Sequence, residues 1–147
     1  MSYYYPVADN LKQVLAEKLR EELERASRLQ RWGRDVQPFW VHGTEVTAPA
    51  TGTTLVSKTV SAGKSGYIYG FYISVGEAND FLISWTSGGT AYSIRIVFAS
   101  RGSLHFVDLV PLNEGLPADG GTSITITNVN AGSAGVAYQA RLFYAEV

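Results

Sequence analysis

The sequence predicts a mainly β protein, an antiparallel β-sandwich of eight strands preceded by one N-terminal amphipathic α-helix. Up to residue 38, apolar side chains recur at every third or fourth position, which is the spacing of one helix face. Beyond residue 38, short alternating and β-branched runs stand between glycine-rich turns, a pattern typical of strands. The charge density changes at the same place, because residues 1–38 hold 13 of the 25 charged residues.

These changes divide the chain into a tail with a helical arm over residues 1–38 and a β-sandwich domain over residues 39–147. Hydrophobic residues make up 46% of the chain, which is enough for a packed core. The absence of cysteine excludes disulfides, thiol catalysis and thiolate metal sites. A net charge of -1 gives no field that would select nucleic acid. We expect no signal peptide and no membrane span, and therefore folding in the cytoplasm of the cell that makes the chain.

The helix of the arm is predicted over residues 10–32. Asn10 and Gln13 have the spacing of a capping box, and Gly33 is suited to end the helix because glycine adopts a left-handed conformation at little cost. The apolar stripe of this helix contains Leu11, Leu15, Leu19 and Leu23. These leucines step by four residues, so the stripe drifts around the axis and is not a clean heptad.

Such a stripe has to be covered, and the sequence leaves three ways open. The helix can lie on its own sandwich or on a neighbouring chain, it can form a short trimeric or larger bundle, or it can lie on a membrane surface. Dense acidic residues among the basic ones disfavour the membrane surface. The four leucines are therefore candidate interface residues.

The β domain is expected to be jelly-roll-like, because eight short strands with frequent turns indicate a sandwich or barrel and eight is the jelly-roll number. A seven-stranded immunoglobulin-like sandwich is the alternative. The sequence Ser87-Gly88-Gly89 predicts a tight hairpin between the fourth and fifth strands. The predicted strands are Phe39–Val46, Thr53–Val60, Gly66–Ser74, Phe81–Trp85, Thr90–Phe98, Ser103–Leu109, Thr122–Asn128 and Gly135–Glu146.

Residues suited to catalysis are few. His42 and His105 stand in the middle of predicted strands without carboxylates at a repeating metal-ligand spacing, and we interpret both as structural. Glu77, Asn79 and Asp80 have the oxygen ligands that calcium prefers, but an acidic turn explains them better. The sequence predicts no catalytic residue, no cofactor and no metal site, and hence a protein that is not an enzyme.

Aromatic residues are concentrated in the third predicted strand. Under strict alternation Tyr67, Tyr69 and Phe71 share one face of that strand. Core packing or a subunit interface accounts for such a row. A carbohydrate platform is the alternative, because flat aromatic rings stack on sugars.

A low-charge body rich in glycine, threonine and tyrosine, with the segments Val107–Thr127 and Leu142–Val147, resembles small viral structural proteins. The most similar types are capsid decoration (auxiliary) proteins of tailed phages and trimeric jelly-roll domains of viral fibres. The resemblance implies a homotrimer attached to other capsid or fibre proteins in the virion, with no enzyme activity and no cofactor. The alternative function is a carbohydrate- or receptor-binding sandwich of a tail fibre or cell-surface protein.

Overall fold

A computed structural model describes residues 4–107 and 114–147 of the chain. By its internal contacts the chain divides into two compact units, Met1–Val36 and Gln37–Val147. The first unit contains the helix α1 (Tyr4–Trp32), and the second contains all ten described strands. Among the described residues, no helix combines the length and the apolar character that crossing a membrane requires.

The helix begins earlier than the sequence predicts. It starts at Tyr4, so Asn10 lies within the helix and does not cap its N-terminus. Pro6 is compatible with this start, because the first turn of a helix has no partner for the backbone N–H that proline lacks. The predicted end is confirmed, since Gly33 has a φ of 73° and its N–H donates to the Leu29 carbonyl at 2.9 Å.

The ten strands contain from two to ten residues each. They are β1 (Phe39–His42), β2 (Val46–Thr47), β3 (Thr54–Thr59), β4 (Gly66–Val75), β5 (Asn79–Ser87), β6 (Thr90–Phe98), β7 (Gly102–Val107), β8 (Leu116–Ala118), β9 (Ser123–Asn128) and β10 (Ala137–Glu146). The final two residues of the predicted strand Ser103–Leu109 lie outside the described residues.

The strands form two sheets in which every pairing is antiparallel. The first sheet has the order β1-β10-β4-β7, with β2 also paired to β10 and β8 also paired to β4. The second sheet has the order β3-β9-β5-β6. The predicted hairpin joins β5 to β6, and both Gly88 and Gly89 have the positive φ that a type I′ turn requires.

The prediction of eight strands is wrong, because two of the predicted elements are different in the structure. The first is interrupted: residues 43–45 stand opposite only Gln139 and Ala140 of β10, so one extra residue breaks the ladder between β1 and β2. The second is β8, which lies between the predicted strands Ser103–Leu109 and Thr122–Asn128 and pairs with the start of β4. The other predicted strands overlap the observed ones.

The core lies between the two sheets and draws side chains from the inner face of each. Fully buried members include Ile73 and Leu142 from the first sheet and Ile83, Ile124 and Ile126 from the second. The alternation in β9 follows the sequence prediction, since Ile124 and Ile126 are buried between less buried threonines. Burial of such side chains stabilises a domain by about 1.5–3 kcal/mol each.

Candidate functional site

The predicted interface residues of the helix are exposed. Leu11, Leu15, Leu19 and Leu23 have exposed fractions of 57%, 59%, 62% and 62%. Val14 and Leu29 extend the same apolar surface, with exposed fractions of 53% and 42%. The stripe is therefore an apolar surface running along most of the helix, and it is the first candidate surface.

The predicted aromatic row of β4 is not a single face. Opposite Phe143 and Tyr144 of β10 stand Gly70 and Ile68, so Tyr69 is an extra residue in a β-bulge. Because of this bulge Phe71 turns into the core, while Tyr67 and Tyr69 contact each other at a ring distance of 6.5 Å. The prediction that the three rings share one face is wrong. Tyr69 is fully buried, so these residues do not form an exposed platform for a sugar.

Phe71 instead lines an apolar groove between the two sheets, which we call the edge groove. It has a volume of about 280 Å³ and is lined by Phe71, Ile94, Ile96, Leu104 and Phe106. β6 and β7 carry four of these residues. Among the described strands β6 pairs with β5 and β7 with β4, and each stands at the end of the strand order of its sheet. Exposed edges with apolar side chains are surfaces on which other chains can pack.

A second cleft lies on the outer face of the first sheet, and we call it the aromatic cleft. It has a volume of about 280 Å³ and is lined by Trp40, Tyr72, His105 and Arg141. The register aligns His42, Arg141, Tyr72 and His105 in one row that crosses β1, β10, β4 and β7. The adjacent row contains Trp40, Phe143 and Gly70.

Ring contacts organise the aromatic cleft. Trp40 packs against Phe143 with ring centroids 4.7 Å apart and faces His105 at 5.4 Å. Tyr72 lies 6.2 Å from His105, and the Arg141 guanidinium lies 5.5 Å from the centre of the Tyr72 ring. The cleft thus combines flat apolar surfaces with one cation.

Arg141 lacks the partners that such a cation usually has. Its Nε is buried and donates no hydrogen bond to any residue that the structure describes. Arg25, Arg28 and Arg95, in contrast, each form an ion pair with a carboxylate. A buried donor without an acceptor costs about 1–3 kcal/mol, so an acceptor placed in the cleft would be favoured.

The acidic residues considered for calcium serve the fold instead. Glu77 accepts hydrogen bonds from the Ser133 N–H and the Tyr138 hydroxyl, each at 2.7 Å. Hydrogen bonding to the side chain and backbone of Ser133, and then to Tyr138, lowers the pKa of Glu77. Asn79 donates to the Tyr138 hydroxyl, and Asp80 pairs with Arg95. Within the described ranges, no group of three or more histidine, aspartate or glutamate side chains could hold a metal ion.

Glu146 ties the last strand to the turn after β3. Its carboxylate accepts hydrogen bonds from the Ser61 N–H at 3.0 Å, the Ser61 hydroxyl at 2.7 Å and the Tyr144 hydroxyl at 2.7 Å. These bonds, the Ser61 N–H first among them, lower the pKa of Glu146 from 4.5 to about 2. Burial raises the pKa of Tyr144, which therefore stays a hydrogen-bond donor at neutral pH.

Because the folded state lowers this pKa, we expect the contribution of Glu146 to stability to be complete above pH 4.5 and lost as the pH falls towards 2. Glu146→Gln should lower the free energy of unfolding by about 1 kcal/mol at neutral pH. The difference from the unaltered protein should vanish near pH 2. Urea denaturation across this pH range measures both effects, with Glu45→Gln at an exposed loop position as the control. A deficit that is equal at all pH values would contradict the assignment.

The residues of the aromatic cleft were not predicted from the sequence. The sequence predicts a structural role for His105 and indicates no binding role for Trp40, Tyr72 or Arg141. Their one shared signal is position: Trp40 and Arg141 alternate with core residues and so point away from the core. No protein-family model matches the sequence, and no curated protein matches it.

Proposed function

We propose that the chain is a non-enzymatic structural protein of a virion, a capsid decoration or auxiliary protein that self-associates and attaches to a viral shell. The observation that carries this proposal is the exposed leucine stripe of α1, with four leucines that are each more than half exposed. Exposed apolar surfaces of this extent mark interaction sites in soluble proteins.

The energetics of the stripe support an assembly role. Covering a leucine stabilises a complex by about 1.5–3 kcal/mol, so four leucines contribute on the order of 10 kcal/mol. Association costs an estimated 4–15 kcal/mol in lost motional freedom. The stabilisation from the stripe is therefore similar in size to the cost of association, and stable assembly needs a second contact surface.

The edge groove supplies that second surface. Its lining residues are all apolar, and Phe106 at its rim has an exposed fraction of 39%. We expect a second copy of the chain to cover this groove. In a cyclic assembly every copy makes the same contact with its neighbour, so the groove of each copy is covered by the next copy. We propose a homotrimer in which the grooves face neighbouring copies and the helical arms hold the sandwich to a neighbour or to the shell.

The strand order supports the jelly-roll form of the sandwich. β1 and β2 both pair with β10, and β7 and β8 both pair with β4. If each of these two pairs is counted as one strand, the sheets read 1-8-3-6 and 2-7-4-5. Jelly rolls have this order, and viral capsid proteins are among their best-known examples. An immunoglobulin-like sandwich has seven strands in a different order. The fold is shared with proteins of other functions, so it supports the proposal without carrying it.

Fractionation of virus particles tests the virion part of this proposal. We expect the chain to sediment with the major shell protein in a density gradient of particles from its source, at a constant ratio across the peak. Quantitative mass spectrometry of the fractions gives that ratio. A chain recovered only from the top of the gradient, away from the particles, would contradict attachment to a shell.

A further inference from the structure

We propose that the aromatic cleft binds an acidic sugar, a pyranose whose carboxylate pairs with Arg141 and whose ring packs against Trp40. This site goes beyond assembly, because it lies on the outer face of the first sheet and uses none of the residues of the leucine stripe or the edge groove.

The charge of the cleft selects an anion. Arg141 is partly buried, its Nε has no acceptor, and no carboxylate of the described residues forms an ion pair with it. Among the described residues it lies over the face of the Tyr72 ring, 5.5 Å from the ring centre, and an aromatic ring does not neutralise the charge as a carboxylate would. Arginine and carboxylate form a pair of parallel, charge-assisted hydrogen bonds, among the strongest that proteins make.

The walls of the cleft select a ring. The indole of Trp40 is held from one side by Phe143, with ring centroids 4.7 Å apart and an angle of 32° between the planes. The apolar faces of a pyranose pack on flat aromatic side chains, while its hydroxyls find polar partners such as the His105 imidazole. The volume of about 280 Å³ lies at the lower end for ligand pockets and suits one sugar ring.

The same features disfavour a phosphate-bearing ligand. A phosphate group carries nearly two charges at neutral pH, and proteins hold it with clustered cations or with backbone N–H groups at a helix start. Arg141 is the one lysine or arginine among the four residues that line the cleft, and all four stand on strands. One cation beside aromatic rings matches a sugar acid that carries one negative charge.

Titration with monosaccharides, followed by nuclear magnetic resonance, tests this site. The chain has three tryptophans, and we expect the indole N–H signal of Trp40 to shift on adding N-acetylneuraminic acid or glucuronic acid. The signals of Trp32 and Trp85 should stay in place. A dissociation constant in the millimolar range, about 1–10 mM, is appropriate for one ring with one ion pair. Glucose should bind at least tenfold more weakly, and so should acetate.

Variants test separately the two parts of the site, the Arg141 cation and the Trp40 ring. Arg141→Met and Trp40→Ala should each weaken binding of the acidic sugar at least tenfold. Because Trp40→Ala has no indole signal at this position, its binding is followed through the backbone N–H signals of Tyr72 and Arg141, which line the same cleft. Arg141→Lys keeps the charge but loses the planar donor pair, so binding should fall by an intermediate amount. Tyr92→Ala and Arg101→Met are the matched controls, an exposed aromatic residue on the second sheet and an exposed arginine in a bend, and neither should change binding. Melting curves show which variants fold. If Arg141→Met or Trp40→Ala does not fold, the conservative variant Arg141→Lys or Trp40→Phe tests sugar binding in its place.

Three results would each overturn the proposal. The first is no shift of the Trp40 signal at 50 mM of either acidic sugar, a concentration about fivefold above the weakest expected dissociation constant. The others are equal binding of glucose and of the acidic sugars, and unchanged binding of the acidic sugars by the folded variants. The outcome is independent of assembly. A monosaccharide should bind equally well to a chain whose leucine stripe has been disrupted. The sugar site and the assembly role are therefore tested separately, and either can be wrong without the other.

Discussion

Replacing Leu19 and Leu23 by glutamate is expected to abolish self-association and attachment to the shell. Both side chains have exposed fractions of 62% and lie at the centre of the stripe. Two carboxylates placed there would have to be desolvated in any interface, at a cost of several kcal/mol each, which exceeds the stabilisation that the remaining stripe can supply. Light scattering after gel filtration should show the mass of a single chain.

The melting temperature of the sandwich should change little in this variant, because the substituted residues belong to the helical unit and the core belongs to the other. A matched control adds the same net charge to the opposite side of the helix through Gln13→Glu with Arg20→Gln. At 100° per residue these positions lie away from the stripe, so the control should assemble normally. If the double leucine variant melts far lower and the folded fraction still assembles, the stripe stabilises its own chain and the attachment role is wrong.

Gly70→Ala is expected to lower the stability of the sandwich strongly. A Cβ at this position would lie 2.2 Å from the Phe106 carbonyl oxygen and 2.9 Å from the Val107 Cα, and both atoms are backbone. Since a backbone cannot rotate away, β4 and β7 would have to separate. We expect a loss of about 3 kcal/mol or more and a melting temperature lower by roughly 10 °C.

Gly102→Ala provides the control within the same strand pair. A Cβ at Gly102 would meet the Phe98 ring at 3.6 Å, an ordinary contact, and we expect a change within about 1 kcal/mol. Equal stabilities of the two variants in thermal denaturation would mean that β4 and β7 do not approach as closely as described. Gly70→Ala, unlike Gly102→Ala, should also weaken sugar binding, because Gly70 adjoins the aromatic cleft.

The sequence predicts an element of this fold correctly where a short run of neighbouring residues is enough to determine it. The alternation of Thr90–Phe98 matches β6 residue for residue, and the paired glycines at 88 and 89 form the expected hairpin. The predicted end of the helix at Gly33 is confirmed for the same reason, since one residue supplies the turn. The start of the helix was placed too late because Asn10 and Gln13 have capping spacing but lie within a longer helix.

Features that depend on pairing between distant segments were not predictable. The bulge at Tyr69 exists only in relation to β10, and it decides that Phe71 faces the core while Tyr67 does not. The aromatic cleft brings together Trp40, Tyr72, His105 and Arg141 from four strands spread over about a hundred residues. Only the register of those strands makes neighbours of these side chains, and nothing in the local sequence determines that register.

The native mass in solution tests the central claim, self-association, most directly. Light scattering on dilute, neutral-pH protein should give a multiple of the 16.0 kDa chain mass, and a homotrimer should give three times that value. The mass should stay constant over a tenfold dilution if the interface is as apolar as the leucine stripe and the edge groove indicate. A mass of 16.0 kDa at every concentration would contradict the account.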